Sequence, residues 1–177
     1  MRGKKGEEHF NWWDPPRRRA NKRRGHGTFA NDRPPVMGTV GRESGQVRLR
    51  VRLDTQGTTC TSHVYAFTRQ LATVYTDEWS GYNGIGSTWL SGRFHHTVCH
   101  AAREWARDED GDGVREVHTN TLEGLWATIR TFLRPFRGVH KCYLSGYIAI
   151  CEWRINLKRI SPPFICALVA RLHPFYT

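Results

Sequence analysis

The spacing of apolar residues changes along this chain, and that change limits the folds that the chain can adopt. Over residues 47–53 every second residue is apolar, which is the alternation of a β-strand with one buried face. Over residues 122–133 apolar residues recur every third or fourth position, as they do along one face of an α-helix. Strand patterns come first and mixed strand and helix patterns follow, so the sequence predicts an α/β domain.

A β-hairpin is predicted at the start of the patterned region. The segments "PVMGTVGR" and "GQVRLRVRL" predict two strands joined by a turn at residues 43–45. The predicted inward face of the second strand consists of Val47, Leu49, Val51 and Leu53. Its opposite face consists of Arg48, Arg50 and Arg52. That basic face is either a phosphate-binding surface or the ordinary solvent-facing side of an edge strand.

Further strands and helices are predicted after the hairpin. The segments "HVYAF" and "ATVYTD" follow it, and Val74 and Tyr75 indicate a short buried strand that ends at Asp77. After a glycine-rich loop, "RFHHTVCH" predicts another short strand. The predicted amphipathic helices cover residues 122–134, 141–157 and 163–172.

Positive charge dominates the chain and is concentrated near its start. The 177 residues carry a formal net charge of +11, and such a field favours polyanions, of which nucleic acid is the commonest. Residues 1–35 are poor in aliphatic side chains, so we predict a basic arm or loop there and a globular domain over residues 36–177. The arm is either a solvated charge run or a DNA-binding segment, and we favour DNA contact. Its candidate DNA-binding residues are Arg17, Arg18, Arg19, Lys22, Arg23 and Arg24.

Cysteine usage and hydropathy indicate where the protein resides. Five scattered cysteines without a Cys-X-X-Cys pair indicate reduced thiols in the cytoplasm. No apolar run approaches the length of a membrane span, and "MRGKKGEEHF" lacks the apolar core of a signal peptide. We therefore expect a soluble cytoplasmic protein without a membrane partner, associated with the nucleoid when it is bound to DNA.

Two other patterns imitate metal sites. "DEDGDG" at residues 108–113 matches the first half of an EF-hand calcium loop, but Thr119 stands where a bidentate Glu is needed. We therefore favour an acidic turn there. "HHTVCH" brings four soft ligands close together, yet structural zinc also needs a distant second pair, and the sequence fixes none. We favour a strand with alternate histidines. The four ligands are His95, His96, Cys99 and His100.

Glu123 has two interpretations. Asn120 is a good helix N-cap, and a Glu three positions later is the partner of a capping box. The second interpretation is that Glu123 is a metal ligand. Asp77 favours it, because a strand-end carboxylate and a helix-borne carboxylate beside basic surfaces are the ligands of two-metal phosphoryl transfer. Asp77 and Glu123 are therefore predicted to bind Mg²⁺ or Mn²⁺. Arg130 and Arg134 lie along the same helix flank and are candidate DNA contacts.

Four segments together carry a family resemblance. "VYTDEWSGY", "REVHTNTLEGLW", "RPFRGVHKCYLSGY" and "DPPRRRANKRRGHGT…NDRPP" resemble the bacterial insertion-sequence transposases of the ISXO-like branch, which are relatives of the eukaryotic Merlin elements. The resemblance implies an RNase H-like fold with a DDE active site. Such enzymes cut transposon ends and join the 3′-hydroxyl to target DNA with two divalent metal ions. It further implies double-stranded DNA as the partner and leaves a homo-oligomer open.

The resemblance also implies roles for individual residues. Asp77 corresponds to the second catalytic carboxylate of the family and Glu123 to the third. Asn120, in the same motif, is an alternative to Glu123, although an anion binds Mg²⁺ more strongly than an amide does. His118 is implied to line the catalytic pocket.

One part of the family pattern has no match in this chain. The family's first catalytic Asp lies in an Asp-Glu pair at the end of the first sheet strand, upstream of the segment that "MRGKKGEEH" matches. We therefore expect an RNase H-like domain truncated at its N-terminus, of marginal stability, that binds metal weakly and is inactive or nearly so alone. The alternatives are a non-catalytic nucleic-acid-binding remnant and a protein-interaction module. The early aspartates that do not fit the motif are Asp14, Asp32 and Asp54.

Overall fold

The computed structural model describes residues 27–86, 92–157, 162 and 166. Its strands are β1 (Val36–Val40), β2 (Val47–Val51), β3 (Thr73–Asp77), β4 (Phe94–Val98), β5 (Ala106–Arg107) and β6 (Val117–His118). Its helices are α1 (Gly57–Phe67), α2 (Asn120–Leu133) and α3 (Lys141–Asn156). This confirms the mixed α/β class. The predicted basic residues 17–24 and, apart from Cys166, the predicted helix 163–172 lie outside the described residues.

The strands pair into three small sheets within the described part of the chain. Strands β1 and β2 form the predicted antiparallel hairpin, with Gly38 opposite Leu49. Strands β3 and β4 are parallel, and β5 and β6 form a short antiparallel pair. The hairpin turns where Gly45 adopts φ 60°, a left-handed conformation that costs glycine little.

Helices α2 and α3 bury one side of the hairpin. The apolar stripe of α2 packs there as its periodicity predicts. Gly38 allows close contact, because a β-carbon at this position would lie 3.1 Å from the side chains of both Leu49 and Trp126. Leu53 was predicted to face the core but is 69% exposed, because β2 ends at Val51 and the alternation ends with it. The core cluster consists of Val47, Leu49, Leu125, Ile129, Ile148 and Cys151.

Side chains of α3 cover the outer edge of the hairpin. The backbone N–H of Val47 donates to Asn156 Oδ1 at 2.7 Å, and Asn156 Nδ2 donates to the Val47 carbonyl at 2.8 Å. The N–H of Leu49 donates to Glu152 Oε2 at 2.6 Å. Glu152 also pairs with Arg50 at 3.0 Å. The edge of β2 therefore has hydrogen-bond partners although no further strand pairs with it among the described residues.

Helix α1 is a feature that sequence analysis did not predict. It contains the segment "HVYAF", which was grouped with the strands. Five of its first six residues are Gly, Thr or Ser, which are weak helix formers, so propensity gave no signal. Its buried residues are Cys60, His63 and Val64, which lie at the i, i+3 and i+4 positions of one helical face. Burial of that face stabilises the helix.

A cleft separates the hairpin from the β3–β4 sheet. It has a volume of about 1380 Å³ and is lined by β1, α1, β3 and the first turns of α2. In the register of the hairpin, Gly38 and Val40 point their backbone groups away from β2 and toward this cleft. The backbone groups of Thr73 and Tyr75 point away from β4 in the same way. Within the described ranges, the two sheets thus present strand edges without a strand partner to one cleft.

Candidate functional site

Asp77 ends strand β3 and projects its carboxylate at the cleft. Its Oδ1 accepts a hydrogen bond from the Trp79 backbone N–H at 3.2 Å, which turns the chain away from the strand. The preceding residue, Thr76, is buried, and its Oγ1 lies 2.9 Å from Nε2 of His95 on β4. Because Thr76 is fixed in this way, the strand holds Asp77 at its carboxyl end with the other carboxylate oxygen available.

Glu123 lies in the first turn of α2, but it is not part of a capping box. The N-cap is Thr119 rather than Asn120, and no side chain bonds the helix start. The Thr119 carbonyl accepts from the N–H groups of Leu122 and Glu123. The helix thus begins one residue earlier than a capping box requires, which moves Glu123 out of reach of the N-cap N–H. Its exposed carboxylate makes no hydrogen bond or ion pair among the described residues.

The cleft brings together most of the predicted catalytic residues. Asp77 enters it from the end of β3, and Glu123 enters it from α2. His118, at the end of β6, lines the same cleft. Asn120, the first residue of α2, is exposed and does not line it.

The surroundings of His118 favour its neutral imidazole. Burial lowers the pKa of its imidazole, and the positive charge of Arg42 lowers it further. Its Nδ1 is buried without a hydrogen-bond partner among the described residues. A neutral imidazole can offer one nitrogen as a donor and the other as an acceptor.

Glu78 and His100 line the cleft as well; the sequence pattern pointed to His100 only as a zinc ligand and did not point to Glu78. Glu78 accepts hydrogen bonds from the N–H groups of His100 at 3.0 Å and Ala101 at 3.1 Å. The His100 bond is the main cause of a lowered carboxyl pKa at Glu78. Nε2 of His100 in turn lies 3.2 Å from Oγ1 of Thr119, the N-cap of α2. The acidic pair at residues 77–78 was the available signal for Glu78.

Asp77 and Glu123 are exposed carboxylates that line the same cleft, and each could supply oxygen ligands to a divalent cation. Mg²⁺ and Mn²⁺ prefer oxygen donors, and these carboxylates supply them. Within the described residues, neither belongs to a set of three acidic, His or Cys ligand atoms that lie within 4.8 Å of one another. A cation here would therefore take further ligands from water, substrate or another segment.

The acidic loop forms a turn, as favoured from the sequence. Its carboxylates accept hydrogen bonds from loop N–H groups, such as Asp108 from Gly111 at 2.6 Å and from Gly113 at 2.8 Å. Carboxylate oxygens of four acids in this region nevertheless lie within 4.8 Å of one another. Glu116 supplies the fourth carboxylate, whereas an EF-hand would supply it from position 119, where this chain has Thr119. The acids are Asp108, Asp110, Asp112 and Glu116. The histidine-rich segment forms no such cluster within the described residues, and β4 runs through it.

The predicted basic surfaces differ in their surroundings. Arg130 and Arg134 are exposed on α2 and the 3₁₀ turn that follows it, on the same flank as Glu123. Arg48 and Arg50 instead share the carboxylate of Glu152, at 3.8 and 3.0 Å. This pairing reduces the positive potential of the hairpin face.

In the part of the chain that the structure describes, no helix is long and apolar enough to cross a membrane.

The fold and the cleft together define a mixed α/β domain that presents carboxylates from a strand end and a helix, as metal-dependent enzymes of phosphoryl transfer do. Residues 6–156 match the family described as "ISXO2-like transposase domain". The chain belongs to this transposase family, which confirms the resemblance found in its motifs. Family membership also implies the use of a divalent metal ion.

A curated relative supports the same assignment. The chain is 29% identical over 170 residues to an uncharacterized protein in the transposable element ISH50 of Halobacterium salinarum. The match covers 89% of this chain and 49% of that relative. The chain therefore spans about half the length of the relative.

Proposed function

We propose that this domain supplies Asp77 and Glu123 to a DDE-type active site that cleaves transposon ends and transfers DNA strands. One observation carries the proposal: the strand-end Asp77 and the helix-borne Glu123 line the same cleft. Both carboxylates are exposed, and neither is ion-paired among the described residues, so both remain available to a cation. Asn120 lies outside the cleft lining, which favours Glu123 as the third acid of the motif.

The residues of this chain would bind and orient the reacting groups. Mg²⁺ or Mn²⁺ held by Asp77 and Glu123 would activate the attacking oxygen and stabilise the leaving oxygen. His118, whose lowered pKa favours the neutral imidazole, would hydrogen-bond a substrate or water oxygen without adding charge.

Double-stranded DNA is the proposed partner. Along the α2 axis, Arg130 is about 10 Å from Glu123 and Arg134 about 16 Å, at 1.5 Å per residue. Cations at these distances would contact phosphates a few nucleotides from the reacting bond. The basic arm at residues 17–24 would add sequence-independent affinity.

We further propose that the fold is RNase H-like and takes another strand between β1 and β3. Among the described residues, the backbone groups of Gly38 and Val40 on one side and of Thr73 and Tyr75 on the other have no strand partner, which supports this proposal, since an inserted strand would satisfy both edges. Because Asp77 and Glu123 belong to no cluster of three ligands among the described residues, we expect the chain alone to be inactive or nearly so. Sequencing the DNA upstream of the Met1 codon tests the idea. An in-frame strand that ends in Asp-Glu supports it, and a stop codon or frameshift there indicates a decayed element.

Strand transfer by the purified chain tests the catalytic proposal. The substrates are labelled duplexes from the DNA that borders the coding sequence, with Mn²⁺ and a target plasmid. We expect binding without joined product. Product that disappears in Asp77→Asn and Glu123→Gln would refute the expected inactivity and support the site, whereas product that persists in both would refute the site.

A non-catalytic DNA-binding remnant is the second candidate, and it is favoured by the open pair of carboxylates and by the net charge of +11. It requires salt-dependent DNA binding that survives Asp77→Asn and Glu123→Gln but weakens when Arg17, Arg18 and Arg19 are replaced. Equal affinity of the triple variant would exclude it.

A further inference from the structure

Arg42 follows β1 and extends its guanidinium to two other strands. Its Nη1 donates to the Glu116 carbonyl, and its Nη2 donates to the His118 carbonyl at 2.6 Å. Its Cζ also lies 3.9 Å from the ring centroid of Tyr75 on β3. One planar cation therefore joins β6 to β3.

These contacts lie next to both carboxylates of the proposed site. Tyr75 stands two residues before Asp77 in the same strand. His118 precedes Thr119, whose carbonyl accepts from the N–H of Glu123 in the first turn of α2. Strand β6 pairs with β5 over only two residue pairs, so its own sheet fixes it weakly. The bonds from Arg42 therefore act beside the Glu78–His100–Thr119 contacts in holding the start of α2 against the end of β3.

We propose that Arg42 is a positioning residue that sets the separation of the Asp77 and Glu123 carboxylates. This inference rests on the proposed function, because it treats the two carboxylates as one metal-binding pair. Arginine is suited to the role, since its rigid fork can donate to two carbonyls while its face stacks on an aromatic ring. Lysine is a compact point charge without the planar fork, so it cannot reproduce two parallel N–H donors and a stacked face at once.

Arg93 provides a matched control. It stacks over Tyr65 at 4.2 Å and donates to the carbonyls of Tyr65 at 3.2 Å and Thr68 at 2.7 Å. Its chemistry is that of Arg42, but it holds the end of α1 rather than the two carboxylate-bearing elements. Loss of either arginine removes similar contacts, and only loss of Arg42 should affect the metal pair.

The test combines Mn²⁺ titration calorimetry with amide hydrogen exchange measured without metal. All proteins carry Asp110→Asn and Asp112→Asn, so that the acidic turn does not bind the ion. We expect Arg42→Ala to raise the Mn²⁺ Kd about tenfold and to speed exchange at residues 117–123. We expect Arg42→Lys to fold normally and raise the Kd less, and Arg93→Ala to leave the Kd unchanged.

The outcomes separate this inference from the function on which it rests. If Asp77→Asn and Glu123→Gln raise the Kd and Arg42→Ala and Arg42→Lys do not, positioning by Arg42 is refuted and the metal pair stands. If Asp77→Asn and Glu123→Gln leave the Kd unchanged, the metal pair fails, and the inference fails with it. If Arg93→Ala raises the Kd as much as Arg42→Ala, the effect is general destabilisation, and positioning is again refuted.

Discussion

The two edges of the β1–β2 hairpin differ in whether side chains bind their backbone N–H groups. On the outer edge, Asn156 and Glu152 supply acceptors to the N–H groups of Val47 and Leu49. On the inner edge, the equivalent groups of Gly38 and Val40 face the cleft without a strand partner among the described residues. The difference shows that this fold covers one hairpin edge with side chains of α3. It leaves backbone groups open beside the proposed site.

Amide exchange should show the largest contrast between the edges. We expect the amides of Val47 and Leu49 to exchange about a thousandfold more slowly than those of Gly38 and Val40, since protection ranges from near zero up to the global stability. Hydrogen exchange followed by NMR gives the ratio. Equal protection on the two edges would mean that the inner edge is paired in solution.

Removing the side chains that cover the outer edge should have the next largest effect. We expect Glu152→Ala combined with Asn156→Ala to lower the free energy of unfolding by about 3 kcal/mol, because two buried N–H groups lose their acceptors. Urea unfolding measures the change. Glu152→Gln, which keeps an acceptor oxygen, is the control and should lower the free energy of unfolding by about 1 kcal/mol. If Glu152→Gln cost as much as the double variant, the ion pair with Arg50 would be the cause instead.

Acid should weaken the cleft side through His63. This residue is 2% exposed, and burial, with help from Arg52 and Arg50, lowers its pKa from 6.5 to about 4. Between pH 6.5 and pH 4 the unfolded chain binds a proton that the folded chain does not, so stability falls as the pH falls. We expect a loss of about 2 kcal/mol between pH 7 and pH 4.5. The pH dependence of urea unfolding should flatten in His63→Leu, and an unchanged slope would exclude His63 as the cause.

The smallest change in stability is expected at the proposed ligands. Asp77→Asn and Glu123→Gln should each alter the free energy of unfolding by less than about 0.5 kcal/mol, because both side chains are exposed, neither is ion-paired among the described residues, and Asn keeps the oxygen that accepts from the Trp79 N–H. Thermal unfolding without metal checks this. A larger loss would show that these carboxylates stabilise the fold instead of remaining available to a ligand.

Local patterns in the sequence predicted much of the fold. The hairpin, α2 and α3 follow apolar periodicities that a single segment displays, and strand β3 ends at Asp77 as predicted. The first helix was missed because Thr and Ser dominate its start. The capping-box interpretation of Glu123 was wrong, because the N-cap of α2 is Thr119, one residue before Asn120.

The sequence could not predict contacts between distant segments. Asp77 and Glu123 were chosen from their residue types and motif, but the cleft that they share depends on how the two sheets are placed. Arg42 bonds carbonyls more than seventy residues away. Every residue has a backbone carbonyl, so residue identities do not reveal such a contact. Glu152, which covers the β2 edge, likewise resembles any exposed acid on an amphipathic helix.

The covering of β2 by α3 has a consequence for synthesis on the ribosome. Leu49 and Glu152 are 103 residues apart in the chain. At roughly 5–20 residues per second, about 5–20 s pass between translation of the strand and translation of the helix that covers it. For that time the nascent hairpin has two open edges rather than one. A helper that binds extended polypeptide would protect the growing protein most during this interval.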